Sequence, residues 1–232
     1  MNIIKSAFSS FFTETKHSAS QARSNPITGS EQEHAEGFLA LAKNRRTIYA
    51  LGNRLTLAEE EIIETIKEAV RQAPSAFNSQ SSRILILLGQ EHHRFWELTR
   101  EQLRKIVPPE NFQGTSDKID GFAAAAGSVL FFEDQQVIKG LQEQFASYAD
   151  NFPVWSEHST GIAQYAVWLA LTEKGIGANL QHYNPLVDAD VQRTWNIPES
   201  WLLRGHMNFG SINAPAGEKT YMDDNARFII AR

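Results

Sequence analysis

The chain has 232 residues, 42% of them hydrophobic, with 14 Phe and 5 Trp, which is enough apolar material for one full core and too much for a disordered chain. A formal charge of -5, with no basic run longer than Arg45-Arg46, argues against a nucleic-acid or lipid-headgroup surface and favours a small ligand. The chain contains no cysteine, which removes disulfides, thiolate zinc sites, iron–sulfur clusters and cysteine nucleophiles together.

Residues 1–33 are rich in Ser, Thr, Gln and Glu after an apolar start, and read as a flexible extension before a single domain over 34–232. The first 12 residues lack the apolar core and small-residue cleavage site of a secretory signal, and no stretch reaches the roughly 20 apolar residues of a membrane span, so a cytoplasmic protein with no membrane partner is expected. Phe38, Leu39, Leu41 and Ala42 predict a short helix running into Asn44-Arg45-Arg46-Thr47. Thr56 and Glu59 have capping-box spacing, and Ile62, Ile63, Ile66, Ala69 and Val70 continue a helical stripe to Ala73, where Pro74 breaks it. A polar loop with Asn78 and Gln80 then precedes an apolar strand, Ile84 to Leu88.

Helices are predicted over 91–107, 116–126, 134–149 and 159–174, the last apolar nearly all round and therefore central. A second strand spans Ser128 to Phe132. Residues 176–185 read as an amide-rich connector and 188–195 as a short helix, with strands over 202–210 and 227–231. Without strict βα alternation, the class is α+β.

Hydrolytic, phosphate-loop and dinucleotide fingerprints are absent. His92-His93 reads as a solvated pair on a charged helix face, and no metal site is expected. Arg45, Arg46 and Thr47 offer two guanidinium forks and a hydroxyl, the donors a phosphate monoester needs, although an Arg pair at a helix end also serves simply as a solvated charge. Asn78 and Gln80 can donate to and accept from a flat heterocycle, or merely form a turn. Gln181, His182 and Asn184 make a second amide-rich cluster, and Lys219 and Arg227 add late positive charge.

The segments Asn44-Arg45-Arg46-Thr47-Ile48-Tyr49 and Pro74-Ser75-Ala76-Phe77-Asn78-Ser79-Gln80, in that order, resemble the two N-terminal flavin motifs of the nitroreductase superfamily. Gly177 to Pro185 resembles its subgroup of fatty-acid repression mutant proteins from fungi and bacteria, and the likeness covers about residues 36–232. It implies a nitroreductase-like α+β fold with a mixed or antiparallel sheet wrapped by helices, a homodimer, and bound flavin mononucleotide (FMN). In that reading Arg45, Arg46 and Thr47 hold the phosphate or ribityl end, with Lys219 and Arg227 as further phosphate contacts. Asn78 and Gln80 serve the ring and ribityl, partly across the dimer interface, and Gln181 and His182 present backbone N–H groups to the reactive ring nitrogen.

Two departures stand out: Ser81-Ser82 follows Gln80 where the better-known branch has Pro-Trp, and Gln181-His182 replaces Glu-Gly. The expected activity is two-electron transfer from NADPH or NADH to nitroaromatic or quinone-like acceptors by a ping-pong hydride scheme, with the cofactor carrying the redox chemistry. His182 is the candidate proton donor. The alternative is a flavin-binding sensor with little turnover. A high tryptophan load, including Trp155, Trp168, Trp195 and Trp201, is the sequence's own hint of an interface.

Overall fold

The computed structural model describes residues 29–232, so most of the expected N-terminal extension lies outside the described residues. Helix α1 (Gly29–Asn44) leads into the arginine pair, and the short strand β1 is Leu51–Gly52. Helix α2 (Glu59–Gln72) buries Ile62 and Ile66, as its stripe requires, but Ala58 is its N-cap with no side-chain bond. The predicted capping box is therefore unused, because the helix starts at the second member of the pair. Helix α2 ends one residue before Ala73, which is extended ahead of Pro74.

Strands β2 (Ser82–Leu88), β3 (Gly127–Asp134), β4 (Gly177–Gln181) and β5 (Trp201–Ile212) pair antiparallel. Strand β5 is shared by β3, β4 and, at its last residues, β1. Helices α3 (Gly89–Arg104), α4 (Phe112–Ala123) and α7 (Asp188–Trp195) pack on one face, and α2 with α6 (Phe152–Glu173) on the other; α5 (Gln135–Gln144) joins β3 to the turn before α6. The class is α+β, as the mixed element order predicts.

Alternation along β3 explains the two cores. Leu130 and Phe132 point to a cluster with Phe95, Trp96, Phe122 and Leu203, while Val129 and Phe131 point to one with Ile62, Ile66, Val167 and Met207. Every residue of β3 is buried, because helices cover both faces. The backbone of β1 crosses so close to β5 that a Cβ at Gly210 would sit 2.1 Å from the Gly52 carbonyl oxygen, so only glycine fits there.

Four sequence expectations need correction. The amide-rich connector contains strand β4, whose Gly, Ala and Asn disguise a fully paired edge. Residues 227–231 are no strand: Asp224–Arg227 forms a single helical turn, α8, and the chain beyond it is exposed. Helix α6 is not buried all round, since Val154, Ile162 and Tyr165 are 54%, 42% and 41% exposed along one stripe. His92 is fully buried rather than solvated, and only His93 faces water. Residues 39–232 form one compact unit. Among the described residues no helix is long and apolar enough to cross a membrane.

Candidate functional site

Arg45 caps the end of α1, its N–H bonded to the Leu41 carbonyl at 2.9 Å. Its guanidinium carbon lies 4.4 Å from the centre of the Trp168 ring. Stacking on an aromatic face satisfies the flat side of a guanidinium and leaves its N–H edge free. Arg46 is oriented differently, by donating to the Gly217 carbonyl at 2.6 Å. Thr47 bridges Ala178 of β4, and Ile48 N–H donates to the Ala178 carbonyl at 2.9 Å.

The segment after β5 completes this corner. Asn213 N–H bonds the Ala50 carbonyl at 2.9 Å, and Ala216 packs on Ile48, Leu51 and Ala125. The chain is thereby steered back over the arginines, so that Arg45, Arg46, Thr47 and Lys219 line one open cavity of about 540 Å³. Three cations and a hydroxyl around one space suit an anion with several oxygens. Arg227 is not among the lining residues; its guanidinium lies 5.6 Å from the Phe228 ring on the exposed tail.

The second loop is built by strain. Phe77, Asn78 and Gln80 have φ of 57°, 48° and 46°, a region that non-glycine residues rarely enter and that clusters at functional sites. Asn78 and Gln80 are exposed. Phe77 packs among Phe145, Phe152 and Trp155, with ring centres 5.0, 5.3 and 5.8 Å away. Beside it a cavity of about 450 Å³ is lined by Pro74, Ser75, Ala76, Trp155, His158, Ser159 and Ile162.

Both loops lean on α6, but on different faces. Between Ser159 and Trp168 the helix makes about two and a half turns and rises roughly 13 Å. Trp168 under Arg45 and Ser159 beside the strained loop therefore leave nearly opposite sides. The cavity lined by Arg45 and the cavity beside the strained loop have no lining residue in common.

Gln181 closes β4 in register with His206, and its side-chain amide donates to Asn179 Oδ1 at 3.0 Å. It is buried, whereas His182, the next residue, is exposed. His206 Nδ1 lies 3.1 Å from the Gln181 carbonyl oxygen and 3.4 Å from the Tyr183 backbone nitrogen. Burial, with a smaller effect of His182, pushes the His206 pKa down to about 3, the Gln181 carbonyl opposing. Burial and neighbouring His93 bring His92 down to about 4. Among the described residues no group of three or more His, Asp or Glu is placed to hold a metal.

Sequence reasoning missed Trp168, Asn179, Asn208 and Glu133. The first stacks on Arg45 and the others sit in buried polar clusters beneath the two loops. Only Asn208 and Glu133 carried a signal: polar groups within or at the end of a predicted apolar strand.

An α+β sheet covered on both faces, with a cationic cavity at one corner and a strained amide-bearing loop, defines a protein with a site suited to a small anionic ligand. The sequence profile of the Nitroreductase family matches residues 42–211, and the chain belongs to that family of oxidoreductases. Two proteins of Saccharomyces cerevisiae are similar to it: HBN1, 36% identical over 81% of this chain and 94% of its own length, and the nitroreductase FRM2, 32% identical over the same shares. Among solved structures, the nitroreductase CinD from Lactococcus lactis, in complex with chloramphenicol, is 58% identical with a TM-score of 0.78. The match covers 84% of this chain and 100% of that one. CinD has also been solved with 4-nitrophenol, with a TM-score of 0.77 at the same identity and coverage.

Proposed function

We propose that this protein is an FMN-dependent NAD(P)H oxidoreductase, acting as a homodimer, that passes two electrons to nitroaromatic or quinone-like acceptors. The observation that carries the reading is the cavity shared by Arg45, Arg46, Thr47 and Lys219. Its donor set fits a phosphate monoester, and the exposed amides of Asn78 and Gln80 fit the polar edge of a flavin. Bound FMN would supply the two-electron carrier that the side chains lack.

In this reading Arg45 grips the phosphate with its N–H edge and Arg46 with the N–H groups it does not give to the Gly217 carbonyl, Thr47 donates through its hydroxyl, and Lys219 adds a point charge. Gln181 ends β4 and His182 follows it; in this reading their backbone N–H groups serve the ring, and the exposed His182 imidazole donates a proton to an acceptor. Donor and acceptor take turns at one open face, a ping-pong scheme that needs no separate nicotinamide domain.

The two faces of α6 support dimerisation. The Arg45 corner and the Asn78 loop lie on opposite sides of that helix, so one cofactor reaches both sets only if a second chain supplies one of them. The exposed stripe of Val154, Ile162 and Tyr165, and a tail with Tyr221, Phe228, Ile229 and Ile230 exposed, are the apolar surfaces a second chain would cover. Trp168, Trp195 and Trp201 are half-buried within the chain against Arg45, Phe95 and Phe132.

The cofactor is tested by adding FMN to the purified protein and following bleaching of the flavin band by NADPH or NADH, then reoxidation by 4-nitrophenol or a quinone. A protein that stays colourless with excess FMN sinks the reading. Flavin binding without turnover of any acceptor would support the sensor alternative instead.

A further inference from the structure

Glu133 is a fully buried carboxylate at the end of β3. Among the described residues no Lys, Arg or His forms an ion pair with it; the neighbouring Arg83 pairs with Asp134 instead. A charge in such a place is unfavourable unless hydrogen bonds saturate it. Three hydroxyls do so. Ser81 donates to Oε2, and Ser82 and Thr160 both donate to Oε1, each at 2.5 Å.

The donors come from three places that must be held together. Ser81, itself fully buried, is the last residue of the strained loop; Ser82 opens β2 opposite Glu133 in the β2–β3 register; Thr160 lies on α6. The Asp134 N–H also bonds the Ser81 carbonyl, at 3.0 Å. On the outer side, the loop is tied by Gln80 N–H to Ser75 Oγ at 2.9 Å, by Asn78 N–H to the Ser75 carbonyl at 3.0 Å, by the Arg83 guanidinium on the Gln80 carbonyl, and by Phe77 packed among Phe145, Phe152 and Trp155. Left-handed conformations at three non-glycine residues persist only where their surroundings over-determine them.

We propose that Glu133 is the positioning residue of this site: it gathers Ser81, Ser82 and Thr160 and so fixes the loop that presents Asn78 and Gln80 to the cofactor. Its function toward the cofactor rests on the flavin reading above; its hold on the loop does not. The departure from Pro-Trp after Gln80 then has a physical purpose, because Ser81 and Ser82 supply two of the three hydroxyls.

The test compares Glu133→Leu, which fills the space without an acceptor, with Glu133→Gln, whose carbonyl keeps the Ser82 and Thr160 bonds while the Ser81 hydroxyl turns to accept from the amide. Ser81→Ala cuts the loop side alone and serves if Glu133→Leu does not fold. The readouts are hydrogen exchange at amides 76–81 in the flavin-free protein and FMN affinity by fluorescence titration. Glu133→Leu or Ser81→Ala is expected to speed exchange in that loop by about tenfold or more, leave amides of α3 and α4 unchanged, and weaken FMN by a similar factor; Glu133→Gln restores most of both. Wild-type exchange rates in the loop of a folded Glu133→Leu or Ser81→Ala protein overturn the proposal. Faster exchange with unchanged FMN affinity overturns the cofactor half of it. Faster exchange in a protein that binds no FMN at all supports the hold on the loop and sinks the flavin reading instead.

Discussion

The side-chain amide of Asn179 donates to the backbone carbonyl of Ile48 at 2.8 Å inside the core, fixing the arginine segment to β4. Asn179, Asn208 and Ser128 lie in one row across β4, β5 and β3. Asn208 donates to Asn179 Oδ1, and its own Oδ1 accepts from Ser128 and from the Trp96 indole, each at 2.9 Å. Ser128 has a single proton, given to Asn208, so His92 Nδ1, 2.9 Å from its oxygen, is the donor. A polar chain thus runs through an otherwise apolar sheet from α3 to the cationic corner.

Asn179→Ala strands the Ile48 carbonyl and the amides of Asn208 and Gln181 without partners. The expected loss is about 2–4 kcal/mol of stability, measured by urea unfolding, with weaker FMN binding in the variant that still folds. Unaltered stability would mean that water fills the gap and that the row carries no structural weight.

Arg45→Ala should weaken FMN by roughly ten- to a hundredfold, the range for charge-assisted bonds, because it removes a fork from the cavity. Arg45→Lys should recover little, since an ammonium neither stacks on Trp168 as a plane nor forms a fork. Titration of flavin fluorescence compares the three proteins, and full recovery by lysine would reduce Arg45 to a plain charge.

Acid should destabilise the fold through His92 and His206. Their folded pKa values, about 4 and about 3, lie below the unfolded value near 6.5. Below about pH 6.5 the unfolded chain therefore binds more protons than the folded one. Stability is complete above that pH and falls through the window down to the folded values, by at most about 1.4 kcal/mol per pH unit for each histidine. Thermal unfolding from pH 7 to 4.5 follows the effect, and a His92→Gln protein should show a shallower slope.

Ile162→Glu places a charge on the exposed stripe of α6, where the chain alone has room for it. Light scattering after size exclusion should show a dimer for the wild type and a monomer for the variant, with flavin binding lost in parallel. A monomeric wild type that binds FMN tightly would refute the shared site.

Gly210→Ala should lower stability by about 2–4 kcal/mol, in the range of severe overpacking, because its Cβ would meet backbone rather than a side chain that can move. Thermal denaturation gives the answer directly.

Local pattern and composition determined much of this protein. Helix α2 with its stripe through Ile62 and Ile66, the break at Pro74, the apolar strands β2 and β3, the α+β class and the Arg45-Arg46-Thr47 cluster are all legible, because each depends on neighbours within a few residues. Strand β4 was not, since its Gly, Ala and Asn pair only because β5 offers an edge, and residues 227–231 looked like a strand but pair with no strand among the described residues. The burial of His92, the return of Lys219 to a cavity with residues 171 positions away in sequence at its neighbour Gly217, and the three hydroxyls on Glu133 were decided by tertiary structure alone. Those features rest on contacts between distant segments, and the free energy of a buried polar group depends on which partners the fold brings within hydrogen-bonding distance.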